Sequence, residues 1–134
     1  MDSLIYSSKI EVKKSPVHGY GVFAKENIKK GEILEECHFM SLPKDNKYLS
    51  IFIQLSSLID YVFVFPKGKN FKEWAWPLGN GCIYNSSPNP NANWEIDENK
   101  RLFIFKSIKD IKKGDEIYTN YESHLAWCKK IKSI

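Results

Sequence analysis

The sequence predicts a mainly β domain with little helix, and three observations lead to that prediction. Apolar residues occur in short runs that are separated by frequent Gly and Pro turns. Some runs alternate apolar with charged side chains, which is the pattern of a half-buried strand. One turn phrase occurs twice, as Ile-Lys-Lys-Gly-Glu at residues 28–32 and Ile-Lys-Lys-Gly-Asp at residues 111–115. Each copy precedes an aliphatic strand start, so we expect two similar turn-and-strand corners.

The composition is that of one globular domain. The chain has 134 residues, of which 43% are apolar, enough to bury a core. Aromatic residues make up 14%, and such side chains can fill a core or form the walls of a pocket for a cationic group. The net charge of +4 comes from short lysine groups mixed with acidic residues. This pattern favours a solvated surface over a nucleic-acid-binding face.

The cysteines indicate a reducing compartment. Cys37, Cys82 and Cys128 are far apart in the sequence and form no CxxC pair, so we expect neither a disulfide framework nor a metal site. The N-terminus lacks a basic start followed by an apolar run, and the apolar patch at residues 48–65 is interrupted by polar side chains. We therefore expect an intracellular, soluble protein without a signal peptide or membrane span.

The first third of the chain is predicted as strands joined by turns. Residues 10–13 alternate as a strand does, residues 15–21 form a turn, and strands follow at residues 22–24 and 32–37. The turn contains Gly19-Tyr20-Gly21, which has no third glycine and no following helix pattern. A dinucleotide fingerprint is therefore excluded. Two interpretations remain open, a plain strand-linking turn or a close approach of the backbone to a ligand.

The middle of the chain predicts the only helix before the C-terminus. Residues 43–47 are predicted to be a loop, residues 48–58 to form a short helix, residues 60–65 to be β-rich, and residues 66–72 to form a second loop. The helical periodicity is loose, because only part of one face is apolar.

The stretch from Cys82 to Tyr121 organises the rest of the chain. It begins with a polar run at residues 85–94 that apolar residues flank on both sides, so we expect the run to be packed inside with its amides paired. A strand follows at residues 102–105, and a Gly turn and short strand end at Asn120-Tyr121. Residues 125–131 then predict a short helix that Trp127 anchors. The three histidines show no spacing for a metal or a nucleophilic triad.

Together these segments resemble the SET domain, a family of S-adenosylmethionine-dependent protein lysine methyltransferases. The stretch at residues 18–24, His-Gly-Tyr-Gly-Val-Phe-Ala, resembles the family's first Gly-x-Gly motif. Residues 78–85 lead into Asn-Ser-Ser-Pro-Asn-Pro-Asn-Ala at residues 85–92, which resembles the family's Asn-His-Ser-x-x-Pro-Asn-Ala segment. Residues 114–121 resemble its closing Gly-Glu-Glu-Leu…Asp-Tyr motif. Three such motifs in order are a specific signal, although each is weak alone.

The resemblance implies an architecture for most of the chain. It places a SET domain at residues 8–121, with a variable insert at residues 45–79 and a short helical segment at residues 122–134. The small size and the lack of zinc-binding flanks are similar to the compact viral and bacterial members. The implied fold has several short sheets, β-clip-like, with a knot-like crossing of the C-terminal segment.

The resemblance also implies a chemistry and a set of site residues. The cofactor would be S-adenosylmethionine without a metal, and the substrate would be a histone or another protein with an exposed lysine. Nucleic acid would not be required, and the compartment stays open between the cytoplasm and, for a viral protein, the host nucleus. Apart from the resemblance, a homodimer is plausible, because a small domain with exposed aromatic residues can bury them against a second copy. Tyr121 would be catalytic. The cofactor-binding residues would be His18, Gly19, Tyr20, Gly21, Asn85, Ser86 and Tyr121, and the lysine channel would be lined by Tyr61 and Tyr118.

Three residues depart from the family pattern. Ser86 stands where the family has histidine, His18 where arginine is common, and Asn120 where aspartate is commoner. Since much of the family's contact at the first position comes from the backbone, we expect that change to be tolerated. Two alternatives stay open, a non-catalytic protein- or nucleic-acid-binding module on a SET-like fold and a small β-clip domain of another class.

Overall fold

Ten short strands and one helix occupy the described part of the computed structural model, which comprises residues 3–56, 61–66 and 70–120. The elements in chain order are β1 (Ile10–Lys14), β2 (Tyr20–Ala24), β3 (Ile33–Cys37), β4 (Phe39–Pro43), α1 (Lys47–Leu55), β5 (Phe63–Phe65), β6 (Glu73–Pro77), β7 (Asn85–Ser86), β8 (Ala92–Asp97), β9 (Leu102–Ser107) and β10 (Glu116–Thr119). The predicted fold class, mainly β with little helix in several small sheets, is confirmed.

The strands form three small sheets, with the orders β1-β2-β10-β7, β3-β9-β8 and β4-β6-β5. Strand β10 is antiparallel to β2 and parallel to β7. It therefore joins two segments that are distant in sequence, the Gly-x-Gly turn before β2 and the Asn85 segment at β7. This pairing brings the residues of the candidate site together.

The main core is aromatic and lies between the sheets. Trp94, Phe103 and Phe105 are fully buried, and Phe63 packs edge-on against all three rings. Edge-to-face contacts of this kind add specificity to the burial of large apolar area. A second, smaller cluster lies on the other face of the β4-β6-β5 sheet, beneath α1, and includes Ile53, Val62, Val64, Phe71, Trp74 and Trp76.

The repeated turn phrase forms a pair of matching corners, as the sequence predicts. Ile28 and Ile111 exchange both backbone hydrogen bonds, each at 2.8 Å, and each is 2% exposed. Gly31 and Gly114 are the fourth residues of the two phrases and have φ 89° and 94°, a region that glycine adopts without steric cost. The two corners therefore fasten the start of β3 to the start of β10.

The predicted helix in the insert is confirmed, and its last turn is shorter than predicted. Asn46 caps it, because its side chain accepts a hydrogen bond from the Leu49 backbone N–H at 3.1 Å. Ile53 is the buried residue of this helix, and the Trp74 indole N–H donates to the Ser50 hydroxyl at 3.0 Å. The helix ends at Leu55.

Strands β4 and β6 were not predicted. In β4, Phe39 lies in the main core, whereas Leu42 packs against the cluster beneath α1. In β6, Ala75 lies in the main core and Trp74 and Trp76 face the helix. Because both faces of this sheet are covered by apolar groups, the alternation that marks a half-buried strand is lost. The predicted C-terminal helix, Trp127 and the knot-like crossing lie outside the described residues and stay predictions.

Candidate active site

A cavity of about 650 Å³ lies where the Gly-x-Gly turn, the segment before β5 and the segment before β7 meet. Its lining residues are His18, Gly19, Tyr20, Tyr61, Cys82, Ile83 and Asn85. Five of these were predicted as site residues from the sequence, namely His18, Gly19, Tyr20, Tyr61 and Asn85. The fold therefore gathers residues from three distant segments around one space.

The side chain of Asn85 connects the Gly-x-Gly turn to the Glu116 carboxylate on β10. Its side-chain amide donates to the backbone carbonyl of His18 at 3.0 Å and to that of Tyr20 at 3.4 Å. The same nitrogen donates to Glu116 Oε2 at 2.8 Å. Asn85 is only 8% exposed, so these bonds form out of water, where losing one is costly. The predicted buried, paired amide is found at Asn85. The prediction that the whole run at residues 85–94 is packed inside is wrong, because four of its residues are exposed, namely Ser86, Pro88, Asn89 and Asn93.

Glu116 is a buried carboxylate that the sequence analysis did not assign to the site. It is 7% exposed, and besides Asn85 it accepts hydrogen bonds from the Ser15 hydroxyl at 2.8 Å and the Tyr118 hydroxyl at 3.2 Å. Ser15 Oγ in turn accepts from the His18 backbone N–H at 3.3 Å. A closed ring of hydrogen bonds thus runs from His18 through Ser15, Glu116 and Asn85 back to His18.

The position of Glu116 explains why residue 21 is glycine. A Cβ built on Gly21 would collide with Glu116 Oε2 and would lie 3.0 Å from Asn85 Nδ2. The carboxylate reaches Asn85 only because it passes over a residue that has no side chain. Gly21 therefore makes room for the hydrogen bond between Glu116 and Asn85, and its predicted contact with the cofactor stays a prediction.

Gly21→Ala is expected to lower the free energy of unfolding by about 1–3 kcal/mol, the usual cost of overpacking. The reason is that the new methyl group must displace the Glu116 carboxylate or the Asn85 amide. Urea unfolding of Gly21→Ala, Glu116→Ala and the double variant would measure the coupling. Glu116→Ala removes the colliding oxygen, so the double variant should be no less stable than Glu116→Ala alone. If the double variant instead lost the sum of the unfolding free energies lost by the two single variants, this account would be contradicted.

A second buried carboxylate holds the segment that leads to Asn85. Glu35 is 1% exposed and accepts from the Tyr84 hydroxyl at 2.6 Å and the Asn80 backbone N–H at 3.2 Å. Gly79 has φ 65°, and a Cβ there would lie 2.8 Å from Glu35 Oε2. Burial, and after it the charge of Glu35, raises the pKa of Tyr84 well above its usual value, so the Tyr84 hydroxyl stays protonated and keeps donating.

Cys82 forms part of the cavity wall and lies against the backbone of Tyr61. Its single S–H can donate weakly either to the Tyr61 carbonyl at 3.5 Å or to the Pro77 carbonyl at 3.3 Å. Burial raises the pKa of the Cys82 thiol to about 11, so the sulfur is a thiol and not a nucleophilic thiolate at neutral pH. Tyr61 is 53% exposed and lies at the rim of the cavity.

The remaining predicted site residues lie elsewhere or are not described. Ser86 is exposed on β7, where its backbone is paired with Thr119. Tyr118 is partly buried, and its hydroxyl donates to Glu116. Burial, with Glu116 as a second cause, raises the pKa of Tyr118. Neither is among the described residues that line the cavity. Tyr121, the predicted catalytic residue, lies outside the described residues.

Two further features concern only the part of the chain that the structure describes. No group of three or more His, Cys, Asp or Glu side chains there is arranged so that it could hold a metal ion. Its helix is also too short and not apolar enough to cross a membrane.

Comparison with known sequences gives one family. The family model for the SET domain matches residues 19–122. A Schizosaccharomyces pombe protein named histone-lysine N-methyltransferase, H3 lysine-37 specific, is 26% identical over 121 residues, which cover 90% of this chain and 78% of that protein. A Candida albicans protein named histone-lysine N-methyltransferase, H3 lysine-36 specific, is 27% identical, but the match spans only 14% of its length.

Solved structures give the same architecture. The crystal structure of a putative histone methyltransferase from Plasmodium falciparum superimposes with a TM-score of 0.66 at 36% identity, covering 86% of this chain and 94% of that chain. A humanized mutant of Polycomb Repressive Complex 2 from Chaetomium thermophilum also superimposes with a TM-score of 0.66, at 23% identity over 15% of its chain. The second likeness concerns the fold alone.

Proposed function

The chain belongs to the SET domain family, and on that premise we propose that it transfers methyl groups from S-adenosylmethionine to lysine side chains of a protein substrate. The observation that carries the proposal is the cavity in which the Gly-x-Gly turn, Tyr61 and Asn85 meet. Each of the three comes from a different segment of the chain, two from motifs and Tyr61 from the insert. Their convergence on one space is what a two-substrate transfer site needs, because both reactants must be held in line.

The described residues fit the proposed cofactor. The cavity volume of about 650 Å³ lies within the range of small-molecule sites. Gly19 has open space where a Cβ would be, so a ligand can approach the backbone there closely. Ile83 and the Tyr20 ring offer apolar surface for a heterocycle, while the turn that Asn85 fixes offers backbone polar groups. When bound, S-adenosylmethionine would supply an electrophilic methyl group on a positively charged sulfonium.

The lining would also help to deprotonate the lysine. A free lysine has a pKa of about 10.4, so removing its proton near pH 7 costs on the order of 4–5 kcal/mol. A narrow, mostly apolar channel disfavours the charged ammonium by desolvation. Tyr61, which lines the cavity, is the described aromatic residue we assign to that channel. We assign orientation of the lysine nitrogen to the hydroxyl of Tyr121.

The names of the relatives, which refer to histone lysines, support a proposal for the substrate class. We therefore propose a histone tail, or another protein with an exposed lysine, as the methyl acceptor. The alternative is a non-catalytic binding module, and the observation that favours it is Ser86 in place of the family's histidine. Against it, the backbone of Ser86 is already held by pairing between β7 and β10. This pairing does not depend on the side chain.

Calorimetric titration of the purified protein with S-adenosylmethionine tests the proposal. We expect one site per chain with a dissociation constant in the micromolar range, roughly −8 kcal/mol. Methyl transfer from the labelled cofactor to histone proteins and lysine peptides should then be measured on the same protein. Cofactor binding with transfer would support the enzyme. Failure to bind the cofactor, together with retained binding of lysine peptides, would favour the non-catalytic module.

A further inference from the structure

The segment before β1, residues 4–9, adds a short edge to the β3-β9-β8 sheet. Tyr6 forms an antiparallel bridge with Glu35 on β3, and the Glu36 N–H donates to the Ile5 carbonyl beside it at 2.8 Å. Residues that face each other across an antiparallel pair place their side chains on the same side. Because Glu35 is only 1% exposed, its side chain is turned inward, and the Tyr6 hydroxyl can reach the buried segment that Glu35 holds.

Two hydrogen bonds connect the Tyr6 hydroxyl to the wall of the cavity. The first runs from the Asn80 side-chain amide to the Tyr6 hydroxyl at 2.9 Å, and Asn80 is 9% exposed. The second runs from the Ile83 backbone N–H to the Asn80 carbonyl at 2.8 Å. Ile83 lines the cavity, so the orientation of Asn80 influences the lining.

Asn80 benefits from such a partner because its backbone is weakly restrained. It lies between Gly79, which has φ 65°, and Gly81, and glycine restricts the backbone less than any other residue. The Asn80 N–H donates to Glu35 Oε2 at 3.2 Å, the long end of the usual range. The bond from the Asn80 amide to Tyr6, at 2.9 Å, is the shorter of these two. Tyr6 therefore contributes to the orientation of Asn80 together with Glu35.

The contact between Tyr6 and Asn80 can be lost without unfolding the domain. Leu4, Ile5 and Tyr6 are 50%, 45% and 57% exposed, so residues 4–9 bury little apolar surface. The ion pair of this segment, Lys9 with Glu32 at 3.1 Å, is partly exposed, and such pairs add little stability. A segment held in this way opens at a lower free energy than the core does.

We propose that Tyr6 is a positioning residue for the cofactor: through Asn80 it holds Ile83, and with it the cavity wall, in the orientation that binds S-adenosylmethionine. This inference rests on the proposed function, which supplies the cofactor. Residues 4–9 then regulate the site, because a chain in which they are released has a looser wall and binds the cofactor more weakly. Linkage requires the reverse as well, so that bound cofactor holds residues 4–9 more tightly by the same factor.

Calorimetric titration of Tyr6→Phe with S-adenosylmethionine tests this role. Phenylalanine removes only the hydroxyl to which Asn80 donates, so we expect binding to weaken by about three- to tenfold, the usual effect of one hydrogen bond. In an Asn80→Ala background the same change should have no further effect, because Tyr6 acts through Asn80. Hydrogen exchange of the Ile83 amide, measured by NMR without cofactor, should be faster in Tyr6→Phe than in the wild type.

Lys9→Met is the matched control on the same segment. It removes the ion pair with Glu32, keeps the aliphatic stem and leaves the hydrogen bond between Asn80 and Tyr6 in place. Its cofactor affinity and its Ile83 exchange rate should equal those of the wild type. Equal weakening of cofactor binding by Lys9→Met and Tyr6→Phe would overturn the inference, since residues 4–9 would then act through general stability alone.

The remaining outcomes distinguish the role of Tyr6 from the proposed function. Wild-type cofactor affinity in Tyr6→Phe would overturn the positioning role and leave the methyltransferase intact. If the wild type bound no S-adenosylmethionine, the proposed function would fail. Faster Ile83 exchange in Tyr6→Phe would then still support the hold of Tyr6 on the wall, and unchanged exchange would refute it.

Discussion

Asn85→Ala is expected to weaken S-adenosylmethionine binding by about tenfold to a hundredfold and to destabilise the fold by about 1–3 kcal/mol. The amide that is lost donates to the carbonyls of His18 and Tyr20 and to the carboxylate of Glu116. Without the amide, the Gly-x-Gly turn loses its side-chain hydrogen bonds from β7, and Glu116 Oε2 loses the donor that Asn85 provides. Calorimetry for the cofactor and urea unfolding for stability measure the two effects separately.

The matched control is Asn91→Ala. Asn91 is a partly buried amide six residues further along the chain; it donates to the Glu116 backbone carbonyl at 2.9 Å and accepts from the Tyr118 N–H at 2.8 Å. It does not line the cavity. We therefore expect a similar loss of stability with cofactor affinity kept within about threefold of wild type. Equal loss of affinity in both variants would show that Asn85 acts through general stability and not through the site.

Asn85→Asp distinguishes the effect of the amide N–H donor from the effect of side-chain volume. Aspartate has nearly the same volume, but it places a second carboxylate against Glu116 in a buried position. Two adjacent carboxylates cannot both ionise without a large cost. We expect this variant to be less stable than Asn85→Ala near pH 7 and to regain stability as the pH falls and one carboxylate takes up a proton.

The sequence was sufficient for the fold class and for five of the seven residues that line the cavity. Glycine turns and short apolar runs are local signals, so the two corners at Gly31 and Gly114 could be predicted before the structure was known. The site residues His18, Gly19, Tyr20 and Asn85 were found through motifs whose spacing is preserved along the chain. Their convergence could be expected from the resemblance, because one fold holds these motifs together.

The two buried carboxylates could not be found in this way. Glu35 lies beside Glu36 in a charged-looking stretch, and Glu116 follows Asp115 at a turn, so each looks like a solvated surface acid. Their burial depends on partners 49 residues away for Glu35 and up to 101 residues away for Glu116. No local pattern encodes such contacts. A small hint exists in retrospect, since each carboxylate lies against a glycine, Gly79 or Gly21, that leaves room for it.

Together the two carboxylates fix both ends of the segment at residues 79–85. Glu35 holds its start through Asn80 and Tyr84, and Glu116 holds its end through Asn85. Cys82 and Ile83, which form the cavity wall, lie between these anchors. The wall is therefore set by buried hydrogen bonds before any ligand arrives. A preorganised wall spares the ordering cost that binding would otherwise carry.

Tyr121→Phe is expected to lower kcat by at least about a hundredfold, which corresponds to about 2.7 kcal/mol of transition-state stabilisation. We assign to its hydroxyl the orientation of the lysine nitrogen and weak CH···O contacts of roughly 0.5–1 kcal/mol each with the transferred methyl group. Phenylalanine removes only that oxygen and keeps the ring, so most of the apolar surface remains. Single-turnover methyl transfer, measured beside cofactor calorimetry, would separate chemistry from binding.

The cofactor affinity of Tyr121→Phe should stay within about threefold of wild type, since only groups that act in the transition state lower kcat without weakening the ground state. Tyr48→Phe is the matched control, because Tyr48 is 84% exposed on α1 and lies outside the cavity. That variant should turn over as the wild type does. If Tyr121→Phe also kept full turnover, the hydroxyl would have no role in the reaction. Desolvation of the lysine by the Tyr61 side of the channel, together with cofactor positioning by Asn85, would then have to account for the rate alone.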